Sequence, residues 1–226
     1  MTTGGSASQQ RMPARVRVLI VDDHPLVREG LAGRVSAQPD LEVCGAVASA
    51  EEALGLVRSG RPALVLIDLA LQRSSGLDLI KEIRACGSDP RILVVSAYEE
   101  GLFAERALRA GADGYINKQE LQSSIIEAIR TVMRGERFVS AAMTRHLADR
   151  ALSREHAPGP AELTDRELQV FELIGRGRAT REIAAELHLS VHTIESHREK
   201  IRLKLNLRNG TELQQQAVLW ALENSH

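Results

Sequence analysis

Cysteine is scarce in this chain: Cys44 and Cys86 are two among 226 residues. They lack CxxC spacing, which argues against a disulfide framework or a thiolate zinc site and favours reduced, packed thiols. No charge of one sign predominates, since Lys and Arg number 29 against 30 Asp and Glu; a uniformly basic nucleic-acid coat is thereby excluded. Long apolar runs are also missing. The stretch Ala63 to Ile67 is far short of the roughly 18 residues a membrane helix needs, and the start MTTGGSASQQ has neither a basic nor an apolar leader region. The expectation is a cytoplasmic protein with no membrane partner. What is present is a 43% hydrophobic fraction with 26% charged residues, the balance of a globular chain with real cores and room for one large domain or two ordinary ones.

Residues 1–14 are mostly Gly, Ser, Thr and Gln and read as a disordered tail. Over 15–135, short β-branched runs alternate five times with stretches of helical period. Strands are predicted at Arg17–Val21, Glu42–Val47, Ala63–Asp68, Ile92–Ser96 and Gly114–Asn117. The runs VLIV, LVLI and ILVV suit strands covered on both faces. Right-handed crossovers then give an α/β domain, a five-stranded parallel sheet of flavodoxin-like order 2-1-3-4-5, with its chemistry beyond the carboxyl ends of the strands. Residues 136–160 read as a linker that contains a helix capped by Ser140 and running to about Leu152. No strand run follows Leu163. Four helices are predicted instead over 161–226, at Asp165–Arg176, Thr180–Leu187, His192–Lys204 and Gly210–Leu222.

Asp22 and Asp23 follow the first strand and Asp68 ends the third, so this strand order gathers three carboxylates at one edge. They repel unless a cation compensates, and the oxygen-seeking Mg²⁺ (or Mn²⁺) suits them. Ser96 ends the fourth strand and Lys118 follows the fifth, adding a hydroxyl and an ammonium. Carboxylate, metal, hydroxyl and ammonium are what an aspartyl nucleophile needs in phosphoryl transfer. Taken singly, Asp22 or Asp23 before Pro25 reads first as a helix cap, Ser96 as a turn hydroxyl and Lys118 as a surface charge; their convergence favours chemistry.

The segments LIVDDHPLVREGL, LVLIDLALQRSSGLDLI, VVSAYEE and GADGYINK resemble the receiver domain of bacterial two-component response regulators of the NarL/FixJ subfamily. The resemblance implies that Asp68 accepts a phosphoryl group from a sensor histidine kinase. It implies Mg²⁺ held by Asp22, Asp23, Asp68 and the Ala70 carbonyl, with Ser96, Lys118 and Tyr115 as switch and phosphoryl-contact residues. Ordinary packing is an equal reading of Tyr115. Such a chain catalyses only its own aspartyl phosphorylation and dephosphorylation and is otherwise no enzyme. One departure stands out: Leu71-Gln72 replaces the family's usual Met-Pro, while Gly76 is kept. Without the proline the loop after Asp68 is freer, so Gln72→Pro is expected to speed phosphoryl uptake from acetyl phosphate, measured by intact-mass spectrometry.

In the second half, Thr180–Leu187, a short turn and a helix capped by Ser190 form a helix-turn-helix signal. Between Arg176 and Arg208, eight basic residues (Arg176, Arg178, Arg181, Arg198, Lys200, Arg202, Lys204, Arg208) face four acidic ones (Glu182, Glu186, Glu195, Glu199). This local excess suits phosphate contacts. LTDREL, REIAAELHLSVHTIESHREKIRLKL and NLRNGTEL resemble the LuxR-type DNA-binding domain. That resemblance puts Glu195, Ser196 and Glu199 at base edges, and Arg181, Thr193, His197, Arg198 and Lys200 at the DNA backbone. A groove-facing Glu195 would favour a cytosine in the half-site. Gly210 stands where the family often has Arg, which weakens one phosphate contact. Asn209 and Glu212 read as a capping box. Leu213, Ala217, Trp220 and Ala221 are candidates for a dimer face, with core packing an equal reading of Trp220.

Together the resemblances imply a regulator whose phosphorylation promotes homodimerisation, or release of its second domain, and binding to double-stranded promoter DNA at inverted half-sites, with RNA polymerase as a further partner. The rival classes are an aspartyl-phosphate hydrolase, disfavoured by Ala70 where such enzymes carry a second Asp, and a regulator that works without phosphorylation.

Overall fold

The computed structural model describes residues 15–71, 74–87, 89–98, 100–141, 143–145 and 160–224. The expected tail, Gln72 and most of the linker lie outside them. Five strands form one parallel sheet: β1 (Val16–Val21), β2 (Leu41–Val47), β3 (Leu64–Ile67), β4 (Arg91–Ser96) and β5 (Gly114–Asn117). Their order is β2-β1-β3-β4-β5, as the alternating pattern predicts. The crossover helices are α1 (Pro25–Ser36), α2 (Ala50–Gly60), α3 (Gly76–Ala85), α4 (Glu100–Ala110) and α5 (Leu121–Met133).

Side chains alternate across the sheet and so build two cores. Val18, Ile20, Leu64, Leu66, Leu93 and Val95 pack with residues of α1 and α5 on one face. Leu19, Val21, Val65, Ile67, Ile92 and Val94 pack with α2, α3 and α4 on the other. Local signals set the helix starts: Ser49 accepts from the Glu52 N–H and Ser75 from the Leu77 N–H. Ser140 accepts from the Met143 N–H, so it caps the helical turn that begins there. Just before it, Phe138 bridges in parallel to Gly114, and its carbonyl accepts from the Tyr115 N–H at 2.7 Å.

Four helices complete the chain: α6 (Asp165–Gly175), α7 (Thr180–Glu186), α8 (Val191–Lys204) and α9 (Gly210–Asn224). A Thr164/Glu167 capping box starts α6 and Ser190 caps α8. At the α6–α9 crossing a Cβ on Gly175 would stand 2.3 Å from the Ala217 carbonyl oxygen, so only glycine lets the two helices meet this closely. That contact turns Leu213 and Ala217 into the core. Trp220 packs on Phe171 with ring centroids 5.7 Å apart. The expected dimer face on these residues is therefore corrected: Leu213 and Ala217 are buried, and α9 presents Gln214, Gln215 and Leu219 outward. Asn209 caps the Glu212 N–H, but the Glu212 carboxylate reaches the Arg208 N–H, one residue before the box predicted. Among the described residues no helix is long and apolar enough to cross a membrane.

Candidate functional site

The register of the β1–β3 ladder, with Val21 opposite Ile67, places the next residues of both strands side by side. Backbone bonds hold them there: Asp68 N–H donates to Val21 O at 2.9 Å and Asp22 N–H to Val47 O at 3.1 Å. Asp22, Asp23, His24 and Asp68 offer ligand atoms that all lie within 4.8 Å of one another. The capping alternative for the two aspartates does not hold, because His24 is the N-cap residue of α1; Asp22 merely accepts the His24 N–H at 2.8 Å. Lys118 reaches back from the end of β5 and puts its Nζ 2.7 Å from Asp68 Oδ2 and 2.8 Å from Asp22 Oδ2.

Burial pushes the Asp68 carboxyl up to about 6, reinforced by Asp22 and opposed by Lys118. Burial likewise works against the Lys118 charge, yet Asp68 and Asp22 together raise its ammonium above the ordinary lysine value. Asp68 Oδ1 is buried and has no hydrogen-bond partner. A desolvated carboxylate oxygen beside two further aspartates fits a divalent cation, and a donor set dominated by carboxylate oxygens fits a hard one.

Behind Asp68, a Cβ on Gly76 would stand 2.2 Å from the Asp68 carbonyl oxygen. Gly76→Ala is therefore expected to displace the nucleophile and slow phosphoryl uptake at least tenfold while the fold survives, which single-turnover labelling with acetyl phosphate and circular dichroism would check. Ser96 is fully buried, and its hydroxyl accepts from the Tyr98 N–H at 3.2 Å. Tyr115 is also buried, and its hydroxyl donates to the Tyr98 carbonyl at 2.7 Å. Both predicted switch residues thus converge on Tyr98, which the sequence pattern did not single out.

On α8 Val191 and His192 are exposed, as are Glu195, Ser196, Glu199 and Lys200 and, on α7, Arg181. Thr193 and Arg198 are half-buried. Glu199 is held by Arg202 Nη2 at 2.5 Å and Nε at 2.9 Å, and Lys204 pairs at 2.6 Å with the buried Glu167. The basic excess that faces outward is correspondingly smaller than the linear count. His197 turns partly inward: its Nδ1 is buried without a hydrogen-bond partner, and burial, helped by Lys200 and Arg166, lowers its pKa.

The two halves touch. Gln169 on α6 donates to Leu69 O at 3.3 Å, next to the nucleophile. Arg176 donates to Ala97 O at 3.1 Å, next to Ser96. In the turn between α7 and α8, His188 Nε2 lies 3.0 Å from Asp23 Oδ2. On α4, Arg106 holds Asp165 and the Pro160 and Leu163 carbonyls. These residues were not legible as functional, since no linear period marks a contact between separately folded halves.

Residues 18–130 match the response regulator receiver domain and residues 161–217 the bacterial regulatory proteins of the luxR family. The chain is 33% identical to YxjL, an uncharacterized transcriptional regulatory protein of Bacillus subtilis, over 93% of this chain and 96% of that one. It is 30% identical to the response regulator UvrY of Escherichia coli, over 93% and 97% of the two chains. RcsB from Salmonella enterica serovar Typhimurium, solved bound to promoter rprA in the presence of the phosphomimetic BeF3−, shares the fold with a TM-score of 0.60 and 21% identity, covering 90% of this chain and 98% of that one. This chain belongs to the response regulators that join a receiver domain to a LuxR-type helix-turn-helix DNA-binding domain.

Proposed function

We propose that the chain is a promoter-binding transcription regulator controlled by phosphorylation of Asp68. The observation that carries this reading is the buried Asp68 carboxylate, with one oxygen on Lys118 and the other unpartnered. A free oxygen at that position is the nucleophile: it attacks phosphorus of a phosphohistidine on the sensor kinase, the P–N bond breaks, and the imidazole leaves with the electron pair. Asp22, Asp23, Asp68 and the Ala70 carbonyl would hold Mg²⁺ or Mn²⁺, which supplies charge neutralisation at the phosphoryl oxygens. Lys118 pairs with another of those oxygens once Asp68 is esterified, and Ser96 turns from the Tyr98 N–H toward a third. Tyr115 follows, because its hydroxyl shares the Tyr98 backbone. The group serves only its own phosphorylation and dephosphorylation; the chain is not an enzyme toward other substrates.

Gln169 and Arg176 grip the loops after β3 and β4, so loop movement at the phosphoryl group loosens the second domain. The released domain dimerises and reads inverted half-sites through α8, with RNA polymerase as a further partner in transcription. The test compares wild type and Asp68→Asn, each with and without acetyl phosphate and Mg²⁺, for affinity on a promoter fragment. Tighter binding only by phosphorylated wild type is expected. Equal affinity in all four states would overturn the switch and leave DNA binding standing.

A further inference from the structure

Tyr98 lies where the switch residues and the second domain meet. Its main chain is held from within the receiver: the Ser96 hydroxyl accepts from its N–H at 3.2 Å, and its carbonyl accepts from the Tyr115 hydroxyl at 2.7 Å and from Asn117 Nδ2 at 3.2 Å. Its ring stacks on Phe103 of α4, with centroids 4.7 Å apart and planes 15° from parallel. That stack belongs to the same apolar cluster as Leu168 and Phe171 of α6. One residue earlier, the Ala97 carbonyl accepts from Arg176 of the second domain.

The ring is packed, but its hydroxyl is not satisfied. Tyr98 is 3% exposed, and its Oη is buried without a hydrogen-bond partner among the described residues. Glu172 and Arg166 on α6 and Glu186 on α7 stand close enough to act on it electrostatically, which places the hydroxyl toward the second domain. Burial, reinforced by Glu172 and Asp68, holds it well above the ordinary tyrosine pKa. It therefore keeps its proton, a donor with no acceptor. A hydroxyl buried in this way is destabilising relative to the same group in water, whereas an apolar group of the same shape is not.

We propose that Tyr98 is the positioning residue that ties the phosphoryl switch to domain docking, its ring anchoring the second domain and its unpaired hydroxyl biasing that domain toward release. The ring resists separation through its apolar contacts. The hydroxyl favours separation, because undocking returns it to water. When Ser96 leaves the Tyr98 N–H, the main chain that aims the ring is freed on that side and the anchor shifts. The docked state is thus held near its release point. Anchor and bias belong to the unphosphorylated chain; only the release step rests on the phosphorylation of Asp68.

The full chain would be compared with Tyr98→Phe and Tyr98→Ala by small-angle scattering and by affinity for a promoter fragment, with and without beryllofluoride and Mg²⁺. Without beryllofluoride, Tyr98→Phe is expected to bind DNA about fivefold more weakly than wild type or weaker still. Tyr98→Ala should bind more tightly and show a larger radius of gyration. A residue that served packing alone would not move DNA affinity in opposite directions in these two variants. DNA affinity of Tyr98→Phe equal to or above that of wild type overturns the bias, and wild-type scattering and affinity in Tyr98→Ala overturn the anchor. Circular dichroism separates a lost anchor from a lost fold; if Tyr98→Ala does not fold, the conservative Tyr98→Phe decides alone. Mg²⁺-dependent beryllofluoride binding is measured on the same wild-type sample. Its failure would sink the phosphoacceptor reading, while the comparison made without beryllofluoride would still decide the role of Tyr98.

Discussion

Asp68→Asn should abolish phosphoryl uptake and, in cation-free buffer at neutral pH, make the protein more stable. Asparagine has the shape of the side chain but no nucleophilic carboxylate, so covalent labelling by acetyl phosphate should fall below detection in intact-mass spectra. The gain in stability follows from the raised pKa. Burial lifts the folded-state carboxyl from 3.8 to about 6; between those values the folded state binds the proton more tightly than the unfolded state. A group shifted in this direction costs nothing below its unfolded pKa, and its cost grows as pH rises through that window. Above pH 6 the full cost is present, about 3 kcal/mol at 1.36 kcal/mol per unit. Melting curves of wild type and variant in chelator should therefore converge near pH 4 and separate by several degrees at pH 7.5. Parallel curves at every pH would mean that the Asp68 charge is not desolvated. Added Mg²⁺ should close the gap by stabilising wild type alone, since ligand that binds only the folded state stabilises it by mass action.

Arg106→Ala should open the two domains and raise the DNA affinity of unphosphorylated protein about tenfold, equivalent to about 1.4 kcal/mol. The guanidinium sits on α4 and bonds across the junction to Asp165 at 2.8 Å, the Leu163 carbonyl at 2.7 Å and the Pro160 carbonyl at 3.2 Å. Hydrogen bonds to charged groups contribute about 1.5–3 kcal/mol each, but the loss is cushioned. Lys81 still pairs with Asp165 at 3.2 Å, and Gln169, Arg176 and His188 keep their own contacts. Small-angle scattering should report a larger radius of gyration for Arg106→Ala. Arg106→Lys, which keeps the Asp165 pair and loses the fork to the carbonyls, should fall between. Wild-type scattering and wild-type DNA affinity in Arg106→Ala would show that docking does not restrain the second domain.

The parallel sheet and its order were legible because buried β-branched runs and helical periods alternate without interruption, and a right-handed crossover leaves few topologies. The convergence of Asp22, Asp23, Asp68 and Lys118 was legible for the same reason: strand ends fix where Cα atoms go. Side-chain direction was not. Ser96 turns to the Tyr98 N–H and Tyr115 to the Tyr98 carbonyl, choices set by packing rather than by position in the chain. The phase of α9 was misread because a single close approach, Gly175 against Ala217, decides which apolar residues face inward. On α6, Gln169 is polar yet fully buried, because it meets the receiver loop at Leu69. Helical period assigns polar residues to the outside of one domain and carries no information about a second domain lying on top.

Phe138 adds a practical point about where the first domain stops. Its carbonyl and N–H take up the Tyr115 N–H and the Asp113 carbonyl along the outer edge of β5. A receiver fragment cut at residue 135 would lack that strip and present β5 as an open edge, the kind of surface on which sheets of separate molecules add to one another. Fragments ending after Ser140 keep the edge closed, and comparisons of isolated receiver with full chain are cleaner when they start from the longer piece.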